Sequence, residues 1–482
     1  MKNYYLEVRG QRSENGIQKT EIKGQKIIVF FSVFCLLSSV FCGSAYSFFP
    51  FGQKPKTEPK KQEVSALTEV AEPALTLEQA YRLALKQSED VAMKEGELGV
   101  AQGHVYQALN EVMPDVSFLM TESIQDAPGK GESSGGSEGV SSNFTRRTTP
   151  QKKFTLHQPI FSGFKEIAGI QGSGAEKAQK KYEKIRVEET LLTDVVSAFY
   201  SVILAEKDVK TLEETKTNLE NRMKDLKERV DLGRSRENEL QTALSDKKQV
   251  EAELVSARSD AVIARQELEY YIGRPVTGSL ADPENSTPDI REIEVYLDKT
   301  DLRPDVKAAS EAYTLAEKKV TVAQSGLFPS AYLDGNYYTQ RVGFQSGIDW
   351  DVLLSVNVPV FNGTETIGDI KVAASEKEMA KYSFLKTKRL ARLDIYRAYE
   401  GYRSAKLEEA ALAEAVEAKK KDYELQTEDY KLNLVNNLEV LTSLKNYQDL
   451  SRQFNAAHYD TKKKYWQLQV AVGETMDLGK EK

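Results

Sequence analysis

Cysteine is almost missing from this chain. Its two cysteines, Cys35 and Cys42, both precede residue 46. Beyond that segment a disulfide framework and a cysteine-bearing metal site are excluded. Histidine is nearly as scarce: His104, His157 and His458 stand isolated, with no Ser/His/Asp motif around them. Gly169, Gly172 and Gly174 are closely spaced, but no hydrophobic strand precedes them and no Gly-Lys-Ser/Thr follows, so they make no phosphate loop. No catalytic motif, cofactor or metal centre is expected. A basic excess is absent too, with 66 Lys and Arg against 73 Asp and Glu for a net charge of −7. That balance argues against nucleic-acid binding. Long apolar runs are missing: the longest stretch of apolar and small residues, 27–41, has 15 residues, and mean hydropathy is −0.50. A helical multi-span membrane protein is thereby excluded.

The 15-residue run has a purpose of its own. Lys19, Lys23 and Lys26 precede it and Gly43-Ser44-Ala45 follows. A positive stretch, an apolar core and a small-x-Ala site make a secretory signal over 1–45. A lone N-terminal membrane anchor is the alternative. Cys42 is a second possibility, as a lipidated residue, although Phe41 stands where such signals want a small side chain. Residues 46–74 are rich in Pro and Lys and read as a flexible tether.

Self-similarity organises the rest. At an offset of 200, Pro159-Ile160-Phe161-Ser162-Gly163 matches Pro359-Val360-Phe361-Asn362-Gly363. Asp194, Leu232, Glu239 and Gly273 match Asp394, Leu432, Glu439 and Gly473. Upstream the offset is 215, pairing Asp90-Val91 with Asp305-Val306 and Pro114 with Pro329. The difference falls in a Gly- and Ser-rich loop at 125–142. The organisation expected is a first repeat at 75–273, a connecting segment at 274–302, a second repeat at 303–473 and a tail at 474–482. Each repeat reads as a helix (about 76–112; 303–326), two extended segments and two long helices. Residues 163–232 lack proline, and one helix over them would run ~105 Å. Val209, Leu212, Lys216, Leu219, Met223, Leu226 and Val230 keep a heptad spacing, as do Val250, Leu254, Ala257, Ala261, Ala264, Leu268 and Tyr271. Such seams want a packed neighbour helix.

The extended segments alternate. Val116 and Phe118, then Phe154 and Leu156, then Leu333 and Tyr337, then Trp350, Val352, Leu354 and Val356 put apolar groups on one face. Four strands of about ten residues with one apolar face and flanking aromatics are the pattern of transmembrane β-barrel strands. Four cannot close a barrel, and open edges cannot sit in lipid. Several chains would have to contribute. Two soluble hairpins on a helical bundle remain the alternative.

Leu77-x-x-Ala80 with Ala84-Leu85, the strand entries at Pro114 and Pro329, and the two copies of Pro-x-Phe-x-Gly carry a resemblance. Arg229-Val230-x-Leu232-Gly233 and Tyr271-Ile272-Gly273 add to it. Over 75–474 the chain resembles the TolC family of bacterial outer-membrane efflux proteins. The resemblance implies a mainly α fold with a small β part: a trimeric α-barrel of antiparallel helices continued by a twelve-stranded β-barrel, four strands per chain. It implies an outer-membrane exit duct reaching into the periplasm, passive, serving an efflux pump or type I secretion system. The partners implied are two further copies, a periplasmic adaptor, an inner-membrane pump and outer-membrane lipid. It implies a constriction at Glu239 and Glu439, with Tyr430 holding the second turn closed. Adaptor docking falls to the turns, at Leu232, Gly233, Arg234, Leu432, Asn433 and Leu434. The family more often has Asp at the two Glu positions and Gly where Asn433 stands. The competing reading is a periplasmic coiled-coil or adaptor protein without a channel.

Overall fold

The computed structural model describes residues 74–125, 148–282, 287–342 and 345–474. The expected signal, nearly all of the tether, most of the 125–142 loop and most of the tail lie outside the described residues. β1 (Leu75–Thr76) leads into α1 (Leu77–Gln87), and Thr76 caps it. Its hydroxyl accepts the Gln79 N–H at 3.3 Å while Gln79 Oε1 accepts the Thr76 N–H at 3.2 Å, a reciprocal box that satisfies two orphan donors. One helix was expected here through about 112. The structure instead breaks at Ser88 (φ −62, ψ 119) and restarts as α2 (Glu89–Asn110). The Ser88 hydroxyl accepts the Val91 N–H at 3.3 Å. Serine gives the backbone that alternative to a continued helix.

Next come β2 (Asp115–Ile124), β3 (Thr148–Ser162), α3 (Lys165–Asp231), α4 (Glu237–Ile272) and β4 (Leu280–Ala281). The chain then runs through α5 (Ile293–Leu297), a 3-10 turn (Thr300–Leu302), α6 (Pro304–Ser325), β5 (Ser330–Gln340), β6 (Trp350–Asn357), α7 (Glu365–Lys431) and α8 (Asn437–Val472). α3 and α7 have 67 residues each and start 200 positions apart. α4 and α8 have 36 each, again 200 apart. α2 and α6 have 22 each, 215 apart. At 1.5 Å per residue the longest helices span ~100 Å. β1 pairs with β4 in parallel; β2, β3, β5 and β6 form an antiparallel sheet in that order.

The helical seams bury only part of what the heptads offered. Leu212, Leu219 and Leu226 are buried, while Val209, Lys216, Met223 and Val230 are half-buried. Along this stretch α3 packs on α4 through Leu212 and joins α7 and α8 as well through Leu219 and Leu226, and the flanking heptad positions lie at the margins of those contacts. Elsewhere Leu192, Val195, Val196 and Phe199 of α3 join Leu268 and Ile272 of α4, α1 and Tyr459 in the largest cluster. Another gathers Leu219, Leu226 and Ala243 with Tyr430, Val440, Leu441 and Leu444 near the turns.

One buried residue breaks the apolar pattern. Arg303, just before α6, is 0% exposed. Its Nε and Nη2 donate to the two Asp305 oxygens at 3.0 and 2.7 Å, and its Nη1 donates to the Ala471 and Ala391 carbonyls at 2.7 and 3.3 Å. Asp394 lies 3.6 Å away. A buried guanidinium is tolerable when its donors are matched in this way. Burial works to raise the Asp305 carboxyl, but the guanidinium outweighs it and holds the group below its ordinary range.

Leu226 is 0% exposed and Leu232 is 68% exposed. Leu226→Ala is expected to cost about 2–5 kcal/mol. Leu232→Ala should stay within about 0.5 kcal/mol. Chemical denaturation followed by helical circular dichroism checks both.

Candidate functional site

Two regions carry the residues singled out from sequence, the four-stranded sheet and the helix turns. In the sheet, register lines up Phe118, Phe154, Tyr337 and Trp350 as one cross-strand row, and Val116, Leu156, Gly335 and Val352 as the next. Leu333 faces Leu354, and Ala331 faces Val356. The Phe118 and Phe154 ring centroids are 5.0 Å apart. All ten strand residues named from sequence thus share one face. Val116, Phe118, Phe154, Trp350, Val352, Leu354 and Val356 are exposed, and Leu156, Leu333 and Tyr337 are half-buried.

The opposite face is polar and internally bonded. The hydroxyls of Ser117 and Thr155 lie 2.6 Å apart, Lys153 donates to Asn336 at 2.9 Å, and Asn336 donates to Asp351 at 2.7 Å. His157 Nδ1 and Asp334 Oδ1 are 2.6 Å apart. Leu119 and Leu353 are the apolar exceptions on this side, both exposed. The outer edges of β2 and β6 have no strand partner among the described residues.

The two turns are built alike. After α3, Gly233 takes φ 69, and the N–H groups of Gly233 and Arg234 donate to the Val230 and Arg229 carbonyls at 2.9 and 2.7 Å. After α7, Asn433 takes φ 60, and Asn433 and Leu434 donate to Tyr430 and Asp429 at 3.1 and 3.0 Å. This paired bonding closes a helix through a left-handed residue, for which Gly is suited and Asn is tolerated. Leu232, Leu432 and Leu434 stand exposed at the turns, as does Arg234.

Tyr430 is buried. The Arg222 guanidinium carbon lies 3.5 Å from its ring centroid and that of Arg229 lies 4.4 Å away. Arg222 Nε donates to Asn437 Oδ1 at 2.9 Å, and Arg229 Nη1 donates to Asn433 Oδ1 at 3.3 Å. Two arginines of the first hairpin therefore hold the ring and turn of the second. From sequence Arg229 stood out only as part of the Arg229-Val230-x-Leu232-Gly233 motif and Arg222 not at all; the contact of either with Tyr430 has no signal in charged residues on a long polar helix.

Glu239 and Glu439 sit in the first turns of α4 and α8. Ser235 donates to Glu239 at 2.7 Å, and Asn436 Nδ2 donates to Glu439 at 2.9 Å while its Oδ1 accepts the Glu439 N–H at 3.0 Å. Within one chain each acid has a local helix-starting partner, as acids near a helix N-terminus commonly do. The histidines, isolated in sequence, each meet a carboxylate in space: His104 with Glu176 at 3.1 Å, His157 with Asp334, and His458 with Glu409 at 2.6 Å. The partners sit on other helices or strands, beyond the reach of motif reading. Among the described residues no group of three or more His, Cys, Asp or Glu could hold a metal ion. Among them, too, no helix is long and apolar enough to cross a membrane.

A family model described as outer membrane efflux protein matches residues 80–274 and 298–474. No curated protein sequence matches the chain. Among solved structures, the chain is similar to the outer membrane protein VceC of Vibrio cholerae, at 17% identity and TM-score 0.69 over 83% of this chain and 96% of that one. It is similar to the CmeC outer membrane channel of Campylobacter jejuni, at 16% identity and TM-score 0.66 over 87% and 94%. The open-state MtrE outer membrane channel of Neisseria gonorrhoeae matches at 17% identity and TM-score 0.67 over 89% and 98%. At such identities the likeness establishes the fold.

Removing the ring that two guanidinium groups face should loosen the turns. Tyr430→Ala is expected to raise amide hydrogen exchange over 219–230 and 430–444, with a loss of about 1–3 kcal/mol of local stability. Tyr430→Phe keeps the π face and should leave exchange near that of the parent. Equal exchange in all three proteins would show that the ring does not tie the hairpins.

Proposed function

Since the chain belongs to the outer membrane efflux protein family, we propose that it is the exit duct of a tripartite efflux pump or type I secretion system. It is an outer-membrane protein that reaches into the periplasm, and its family is one of passive channels. The observation that carries the proposal is the sheet: one face apolar across all four strands and exposed on β2, β3 and β6, the other polar and bonded, and both outer edges without a strand partner among the described residues. In hydrocarbon no water satisfies an open edge, so closure must come from other copies. Three copies of the four-stranded sheet would supply three times four strands, and the helices would continue that barrel as a tunnel. Matching helix bounds at offsets of 200 and 215 support reading each chain as a duplicated unit. Energy for transport would come from an inner-membrane pump.

At the far end we assign gating to the two turns. Tyr430, clasped by Arg222 and Arg229, holds the second hairpin against the first. Glu239 and Glu439 flank the turns, and three copies would gather six carboxylates near one axis, a ring that favours cations. Exposed Leu232, Leu432 and Leu434, with Gly233, Arg234 and Asn433, form the surface offered to a periplasmic adaptor. A coiled-coil rod or adaptor without a channel accounts for the hairpins. It leaves the exposed apolar sheet face in water, where so continuous a patch is disfavoured.

Single-channel recording of the detergent-purified protein in a planar bilayer tests the duct. A small, stable, cation-selective conductance is expected. No conductance from protein that also runs as a water-soluble monomer would overturn the reading. Glu239→Gln combined with Glu439→Gln should move the reversal potential toward that of an unselective pore and weaken block by divalent cations. Unchanged selectivity would remove these acids from the constriction while leaving the duct itself standing.

A further inference from the structure

The surroundings of Arg303 have a counterpart in the first half of the chain, and the counterpart lacks the arginine. Arg303 precedes α6 as Ser88 precedes α2, with nearly the same backbone: φ −58 and ψ 139 against φ −62 and ψ 119. The four groups around the Arg303 guanidinium are Asp305, Asp394 and the carbonyls of Ala391 and Ala471. By the offsets of 215 and 200 their equivalents are Asp90, Asp194, Leu191 and Tyr271. These four and Ser88 all line one cavity of about 380 Å³. Where the second half holds a side chain, the first half holds space.

The lining is suited to a cation. Tyr271 lies in the last turn of α4, where backbone carbonyls have no helical donor and the helix dipole is negative. Asp194 is raised by burial, and no neighbouring cation offsets it. In the second half the equivalent Asp394 has Arg303 at 3.6 Å. Lys94 also lines the cavity, but it is committed to Glu97 at 2.8 Å. Met93 and Tyr270, both exposed, add an apolar and aromatic rim.

We propose that this cavity binds a small organic cation through a guanidinium head, set between Asp90, Asp194 and the carbonyls of Leu191 and Tyr271 as the Arg303 side chain is set between their equivalents. A planar fork of N–H donors matches a carboxylate and adjoining carbonyls better than an ammonium does. The ligand is exogenous, because Ser88 cannot supply the group. The inference stands apart from the channel reading, since the cavity would bind its ligand whether or not the sheet closes a pore.

Titration calorimetry of the full-length, detergent-purified protein with agmatine tests it. One saturable site per chain is expected, with pentylamine bound more weakly. Asp194→Asn should weaken agmatine binding by about tenfold or more, the loss expected for a charge-assisted bond. Ser88→Arg should abolish binding, because the new side chain fills the cavity as Arg303 fills its own. The melting temperature of Ser88→Arg should match or exceed that of the parent. No binding by the parent, equal affinity for pentylamine, or binding unchanged in Asp194→Asn each overturns the proposal. If Ser88→Arg does not fold, the parent titration and Asp194→Asn still decide.

Discussion

Backbone N–H and C=O groups at the outer edges of β2 and β6 need partners, and the rest of the architecture is arranged around that need. A sheet of four strands with one exposed apolar face is fully satisfied neither alone in water nor alone in lipid. Water would wet the face that carries Phe118, Trp350 and Leu354, and lipid would leave the edges bare. The polar face makes the demand directional. Its bonds among Lys153, Asn336 and Asp351 are already satisfied within the chain, so it has no need to be buried and is suited to face an aqueous lumen.

At the opposite end the stabilising forces change character. The sheet relies on backbone pairing, while the turns rely on side chains reaching between hairpins. Arg222 and Arg229 each make two kinds of contact, one with the Tyr430 ring and one with an asparagine of the second hairpin. Tyr430 belongs at the same time to the apolar cluster of Leu219, Leu226 and Leu444, so these contacts and that cluster form one local unit. Leu226 and Phe199, in separate clusters on the same helix, are ~40 Å apart by helix rise. Rearrangement at the turns need not reach the main core, because local openings draw on local stability.

Much of this was legible in the sequence where the pattern was local. The absence of proline from 165–231, followed by Gly233, marks a helix and its end. Alternation over Trp350–Val356 marks a strand and its outward face. The break at Ser88 escaped notice because apolar periodicity runs on through it, and only the serine hydroxyl bonding Val91 shows the interruption. Arg303 is wholly buried although its residue type announces exposure; its partners at Ala391, Asp394 and Ala471 come from distant parts of the chain. The clasp on Tyr430 was hidden for the same reason. A tyrosine and an asparagine could be named from the resemblance, but the arginines that face them belong to the other hairpin.

The two turns share a backbone but not a side chain. At Gly233 the left-handed conformation comes without steric cost and offers nothing to a neighbour. At Asn433 it is less freely adopted, and the amide oxygen accepts from Arg229 in compensation. On the proposed gating, the first turn would act as a plain hinge and the second as a latch with a catch. A ring alternating the two would be unevenly stiff, soft and firm by turns around its circumference. An opening motion would begin by releasing the catches, after which the hinges could follow without resistance of their own.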